Sequence, residues 1–224
     1  PRSPSMPLVW RALARMPVIR VAARVAVLLG ALALGIMGGS ALHGWLYDAH
    51  RLSAETVRVV VERIIQAESR GDPNAKNARS SALGAGQFID ATWLELIRRH
   101  RTDLTARSEA EILELRRDPV LAREITTRFV ERNASILARR GLPVTPGTLY
   151  LSHFAGGAGA AAILTASADA DAALIMARAD ATGRTSREKL IKANPFLEGI
   201  TAEGLKKWAD RKMQPPGRPP ARRS

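Results

Sequence analysis

Cysteine is absent from the 224-residue chain. Its absence excludes a disulfide framework, a thiolate nucleophile and a thiolate metal site, and leaves the compartment open. Alternation of apolar and polar residues is also absent, so no stretch reads as a half-buried strand. No internal repeat is visible. The pattern from Ser53 onward is helical, and the fold class expected is all-α across residues 52–213. A third absence is charge: nothing charged occurs from Val25 to Tyr47.

That uncharged stretch is apolar on every face at its centre, and it is long enough to span a bilayer, which takes about 20 residues. Residues 1–24 before it carry Arg2, Arg11, Arg15, Arg20 and Arg24. Basic residues hold their side of a span in the cytoplasm. The expectation is a basic cytoplasmic segment at 1–24 and a transmembrane signal anchor or signal peptide at 25–47, with the following domain on the periplasmic side of the inner membrane. Gly39-Ser40-Ala41 has the form of a signal-peptidase site, and cleavage there would release the domain to the periplasm. The run is long for a cleaved segment, which favours the anchor, with Trp45 and Tyr47 at the outer interface.

The net charge of +13 resembles a nucleic-acid signal until it is divided. Residues 1–50 carry +4, residues 205–224 carry +6, and residues 51–204 carry +3, from 22 basic and 19 acidic side chains. The excess lies in the two ends, so no nucleic-acid partner is expected. Residues 214–224 hold four prolines and three arginines without apolar periodicity and read as a disordered tail. Such a tail could meet anionic lipid or an envelope protein partner.

Within the helical region, local signals divide the chain. Ser53 caps a helix running to about Ser69. Residues 74–88 read as a loop of small and polar side chains. Asp90 is read as the cap of a helix ending near His100. Ser108 with Glu111 has the spacing of a capping box, and Asp118-Pro119 opens a long helix. That helix carries Val120, Leu121, Ile125, Phe129, Ile136 and Leu137 as its stripe and stops at Gly141. Thr148 leads into a helix through Tyr150 and His153, interrupted at Gly156-Gly157. Short helices follow near 158–166, 169–178, 186–193 and 201–213.

One residue on the first helix breaks the pattern. Val57, Val61, Ile64, Ile65 and Glu68 share a face by their spacing. A carboxyl aimed inward at a helix end loses solvation, which favours its protonated form and suits it to donate a proton to a glycosidic oxygen. The alternative is a glutamate that ends a helix or pairs with an arginine. The motifs that follow bear on this choice. After Glu68-Ser69 comes Gly84-Ala85-Gly86-Gln87-Phe88, then Thr92-Trp93 at a helix start, then Tyr150 in Leu149-Tyr150-Leu151-Ser152-His153-Phe154.

In this order, over roughly residues 55–165, the chain resembles the catalytic domain of soluble lytic transglycosylases, of the lysozyme-like superfamily. That family shows Glu-Ser, Gly-Leu-Met-Gln, a Thr-Trp helix start and Ala-Tyr-Asn. The resemblance implies a lysozyme-like domain that acts on peptidoglycan glycan strands. It implies Glu68 as the single catalytic acid and base, with no cofactor and no metal. It implies Ser69, Gln87 and Tyr150 as substrate-binding residues. The bond cut would be the β-1,4 link between N-acetylmuramic acid and N-acetylglucosamine, with a 1,6-anhydromuramoyl end formed. A hydrolytic muramidase, or a weakly catalytic glycan-binding scaffold of an envelope assembly, are the alternative functions.

Two departures from the family pattern stand out. The methionine before Gln87 is missing, and Leu151 replaces the asparagine after tyrosine, so that its role is left unfilled or is taken by Ser152 or His153. Gly84 and Gly86 would let a substrate approach the loop backbone. Asp72 and Asp90 are the nearest candidates for a second carboxylate. Phe88 and Trp93 read as core, and His153 as packed beside Phe154.

Overall fold

The structure is a computed structural model that describes residues 52–214. The expected membrane segment, its basic flank and nearly all of the proline-rich tail lie outside the described residues. No helix among the described residues is long and apolar enough to cross a membrane.

The described chain is all-α. The helices are α1 (Ala54–Ser69), α2 (Asp90–His100), α3 (Glu109–Glu114), α4 (Pro119–Arg139), α5 (Pro146–Thr165), α6 (Ala172–Ala179), α7 (Arg187–Ala193) and α8 (Ala202–Lys212). Three short 3-10 turns, Thr102–Leu104, Leu115–Arg117 and Pro195–Leu197, join them. Isolated bridges at Lys76–Leu83, Leu83–Phe88 and Asp171–Thr201 are the extended pairings among the described residues.

Most helix starts obey their local signals. Ser53 Oγ accepts the Thr56 amide at 3.1 Å. Ser108 and Glu111 close a reciprocal capping box, and Asp118 accepts from the Val120 and Leu121 amides ahead of Pro119 at N1. Each such cap satisfies donors that the first helical turn leaves free, worth about 1 kcal/mol.

Three local expectations are corrected. Asp90 does not cap α2: Ile89 holds the cap position, and Asp90 is already helical, its carboxylate drawn to Arg116 at 2.7 Å. Helix α5 starts three residues earlier than expected, because Thr145 forms a capping box with Thr148. Val120 is no part of the α4 stripe, being 76% exposed, since it lies in the first turn beyond the packed face. The break at Gly156 is present as a kink inside α5, with φ of 71°.

Two apolar clusters form the interior. One gathers Val57, Val60, Val61, Ile64 and Ile65 of α1 with Leu149, Tyr150 and Leu151 of α5 and with residues of α6 and α8. The other gathers Trp93, Leu94, Leu96 and Ile97 of α2 with Leu104, Ile112 and the first half of α4. Helix α4 serves both: Leu121, Ile125 and Phe129 point into the second cluster, while Ala122, Val130, Ala134 and Leu137 point into the first. The Gly84–Phe88 loop crosses the same seam, with Ala85 in the first cluster and Phe88 in the second.

Candidate functional site

The apolar face of α1 ends at Glu68. The helix ends at the next residue, Ser69, because Arg70 takes a left-handed conformation, φ 58°, and its amide closes on the Gln66 carbonyl at 3.1 Å. This leaves Glu68 half-buried in the last turn. It enters no ion pair among the described residues. The alternative of an arginine-paired glutamate therefore finds no partner there.

Two side chains of α5, Tyr150 and His153, lie within electrostatic reach of the carboxylate. Tyr150 is 2% exposed. Its phenol is pushed well above the ordinary range by burial first, and then by the Glu68 carboxylate acting as a charge and as an acceptor. It therefore stays protonated and keeps a proton to donate. His153 is held below its ordinary value by burial, against the opposing pull of Glu68 and the Gly86 carbonyl. Its Nε2 lies 3.2 Å from the Gly86 oxygen, so a neutral ring donates there. Its Nδ1 is buried without a hydrogen-bond partner. The ring packs edge-on against Phe88 and Phe129 and stacks with Tyr150 at 6.4 Å. The His153 ring is thus a packed one.

The glycine loop is fastened from several sides. Ser69 Oγ donates to Ala85 O at 2.8 Å and accepts the Gly71 amide at 3.1 Å, tying the end of α1 to the loop. Gln87 adopts φ 48°. Its side-chain Nε2 donates to Ala75 O and Gly84 O, both at 2.9 Å. Its amide donors are thus spent inside the loop, and its Oε1 remains as an acceptor. Gly84 has φ 78° and lies against the Arg116 carbonyl, where a Cβ would collide. A Cβ at Gly86 would press on Phe88 and Thr126. Both glycines therefore admit the protein's own backbone and side chains, which is a different close approach from the substrate contact expected.

Arg116 was not singled out by the sequence, yet it organises this loop. It is 6% exposed. Its Nη1 donates to Ser81 O at 2.8 Å, Phe88 O at 3.0 Å and Asp90 Oδ1 at 2.7 Å, and its Nε donates to Leu113 O at 2.8 Å. The guanidinium thus holds both ends of the segment that carries Gly84–Phe88. No local pattern marks an arginine that acts across 28 and 35 residues.

The remaining candidates separate cleanly. Ser152 is buried and donates to Thr148 O at 2.8 Å, and Leu151 is core, so neither fills the place of the missing asparagine. Trp93 is fully buried, its Nε1 donating to Ile112 O at 2.8 Å. Asp72 is exposed and accepts the Asn74 amide in a turn, and Asp90 is committed to Arg116. Neither is placed as a second acid beside Glu68. No group of three or more His, Asp or Glu side chains suited to a metal ion occurs among the described residues.

The arrangement sets a half-buried Glu68, without an ion pair among the described residues, near a protonated phenol and an imidazole whose burial favours its neutral form. Models of known protein families match no part of the chain, and no curated protein matches it.

Proposed function

We propose that the chain is a peptidoglycan lytic transglycosylase with a lysozyme-like catalytic domain, exported to the periplasmic side of the inner membrane, in which Glu68 is both general acid and general base. The observation that carries the reading is the half-buried Glu68 at a helix end, without an ion pair among the described residues and within electrostatic reach of Tyr150 and His153. The ordered motifs around Gln87, Thr92-Trp93 and Tyr150 support it as a resemblance.

The chemistry follows from one carboxyl. Protonated Glu68 gives its proton to the glycosidic oxygen as the bond from that oxygen to the muramoyl C1 breaks, with oxocarbenium character building at C1. The carboxylate so formed takes the proton of the muramoyl C6 hydroxyl as its oxygen bonds to C1, closing the anhydro ring and restoring the acid. No water is consumed, and the nucleophile is already tethered, which lowers the entropic barrier. A neutral His153 suits this cycle, because a cation there would favour the carboxylate and oppose proton donation. The Tyr150 phenol can steady the carboxylate while it acts as base. Gln87 Oε1 would meet the sugar, while Ser69 sets the loop.

The test is digestion of peptidoglycan sacculi by the chain, with products read by mass spectrometry. Muropeptides lighter by one water than reducing ones are expected, and Glu68→Gln should abolish their release. Reducing ends would replace the lyase reading with hydrolysis. Undiminished release by Glu68→Gln would remove Glu68 from the reaction.

A further inference from the structure

Helix α4 buries an amide that its own sequence does not account for. Asn133 lies between Phe129 and Leu137 at four-residue spacing, on a face that also carries Val130 and Ala134. Asparagine is unfavourable inside a helix, and a polar side chain in an apolar seam is costly unless it is bonded. Asn133 is 1% exposed, and its Oδ1 has no hydrogen-bond partner among the described residues. It sits where α4 and α5 cross. A Cβ on Gly157 would come to 2.8 Å from Ile136 Cδ1 and 3.3 Å from Asn133 Oδ1, so the bare Gly157 leaves the amide its room.

His153 precedes Gly157 by four residues on α5, as Phe129 precedes Asn133 on α4, and the His153 and Phe129 rings meet edge-on at 5.6 Å. The crossing thus pairs Phe129 with His153 and Asn133 with Gly157. His153 Nδ1 is a second buried atom here without a partner among the described residues. With Nε2 donating to Gly86 O, Nδ1 of a neutral ring is an acceptor, as is an amide oxygen. Two acceptors cannot bond each other. The neighbouring hydroxyls are already committed, Thr126 to Ala122 O at 2.7 Å and Ser152 to Thr148 O at 2.8 Å. A small molecule with two donors meets both demands, and buried water serves such paired polar groups in protein interiors. We propose that the α4–α5 crossing holds one internal water that donates to His153 Nδ1 and Asn133 Oδ1, which makes Asn133 a positioning residue for His153. The water keeps the ring proton on Nε2, the nitrogen that holds the Gly86 carbonyl, and so ties the buried amide of α4 to the loop that carries Gln87. The charged and titratable groups within reach of the ring are Glu68 of α1 and Tyr150 of α5. From α4, Arg132 lies over the Phe129 ring at 4.9 Å. The inference stands on this packing and does not need the glycan-cleaving reading of Glu68.

The experiment uses the full chain with isotope-labelled histidine, and the ring nitrogens of His153 are followed by NMR, assigned by their loss in His153→Gln. The parent should show the proton on Nε2 and a hydrogen-bonded, unprotonated Nδ1 at neutral pH. Asn133→Leu keeps the volume and removes the acceptor, and its Nδ1 signal should move to that of an unbonded imidazole nitrogen while His100 stays unchanged. Asn133→Asp keeps an acceptor and adds a charge, so its Nδ1 should stay bonded and His153 should take its second proton about one pH unit or more higher than in the parent. A packing role alone would be met by leucine and would leave the Nδ1 signal where it was. A high-resolution crystal structure of the parent, which needs no variant, should show one ordered water within hydrogen-bond distance of both atoms. A proton on Nδ1, the same Nδ1 signal in Asn133→Leu and the parent, or an Asn133 amide turned to donate directly with no water between overturns the site.

Discussion

Replacing Arg116 by alanine should loosen the Gly84–Phe88 loop more than any single change within it. The guanidinium makes four hydrogen bonds, to Ser81 O, Phe88 O, Leu113 O and the Asp90 carboxylate. A hydrogen bond to a charged group contributes about 1.5–3 kcal/mol, and the contributions of one side chain do not simply add. The Asp90 pair is discounted, since that carboxylate is half exposed and regains water when Arg116 is lost. The three carbonyls set the cost, and about 3–4 kcal/mol is expected for Arg116→Ala. For a domain of this size, each kcal/mol moves Tm by about 2–4 °C, so a drop of about 10 °C should appear in thermal unfolding. Arg116→Lys should recover less than half, because one ammonium on a flexible stem does not reproduce the planar fork. At a temperature where the variant is folded, sacculus digestion should still fall, as the loop no longer holds Gln87 in register. A Tm within about 2 °C of the parent, together with parental digestion, would refute the clasp.

Two further changes test the neighbouring contacts. Ser69→Ala removes the donor to Ala85 O and the acceptor for the Gly71 amide, and should cost about 1–2 kcal/mol in urea unfolding. Well below its transition, its affinity for an N-acetylglucosamine hexamer should match the parent. A loss of affinity larger than the loss of stability would instead make Ser69 a sugar ligand. His153 links stability to pH. Burial lowers it below its ordinary value near 6.5, so the unfolded chain takes up the proton first as pH falls. The stability it contributes is present above about 6.5 and is lost progressively below it. His100, lowered by burial and by Arg128, Arg99 and Arg132, acts in the same direction. Thermal unfolding between about pH 8 and pH 5 should therefore steepen on the acid side, and His153→Gln should flatten part of that slope. An identical slope in the variant would show that His153 is not linked.

Local chemistry was legible in the sequence, and chemistry across the fold was not. Ser53, the Ser108–Glu111 box and Asp118-Pro119 each act within three residues, and each start lies where the residue types placed it. Asp90 misled because an aspartate before an apolar run looks like a cap, whereas its oxygen is taken by an arginine 26 residues on. Thr148 misled more mildly: it is the third residue of a box whose cap is Thr145. Phe196 and Trp208 carried no signal at all. Their partnership depends on a 3-10 turn and the last helix folding back on α5, which no periodicity encodes.

The glycines of the loop show why a motif can be right in position and wrong in reason. Gly84 and Gly86 read as places where a backbone must come close to something. What comes close is Arg116, Phe88 and Thr126. With Gln87 spending its amide donors on Ala75 and Gly84, and Ser69 and His153 fastened to Ala85 and Gly86, the conspicuous polar and small residues here serve to make the loop rigid. The freely acting groups that remain at this seam are the Glu68 carboxyl, the Tyr150 phenol and the Gln87 Oε1. In the proposed reaction, an acid that gives and retakes one proton within a single turnover would gain from such an arrangement, because a fixed loop would keep the sugar oxygen within reach in both halves of the cycle. On that proposal the loop residues would affect rate through position, and the proton chemistry would rest on Glu68.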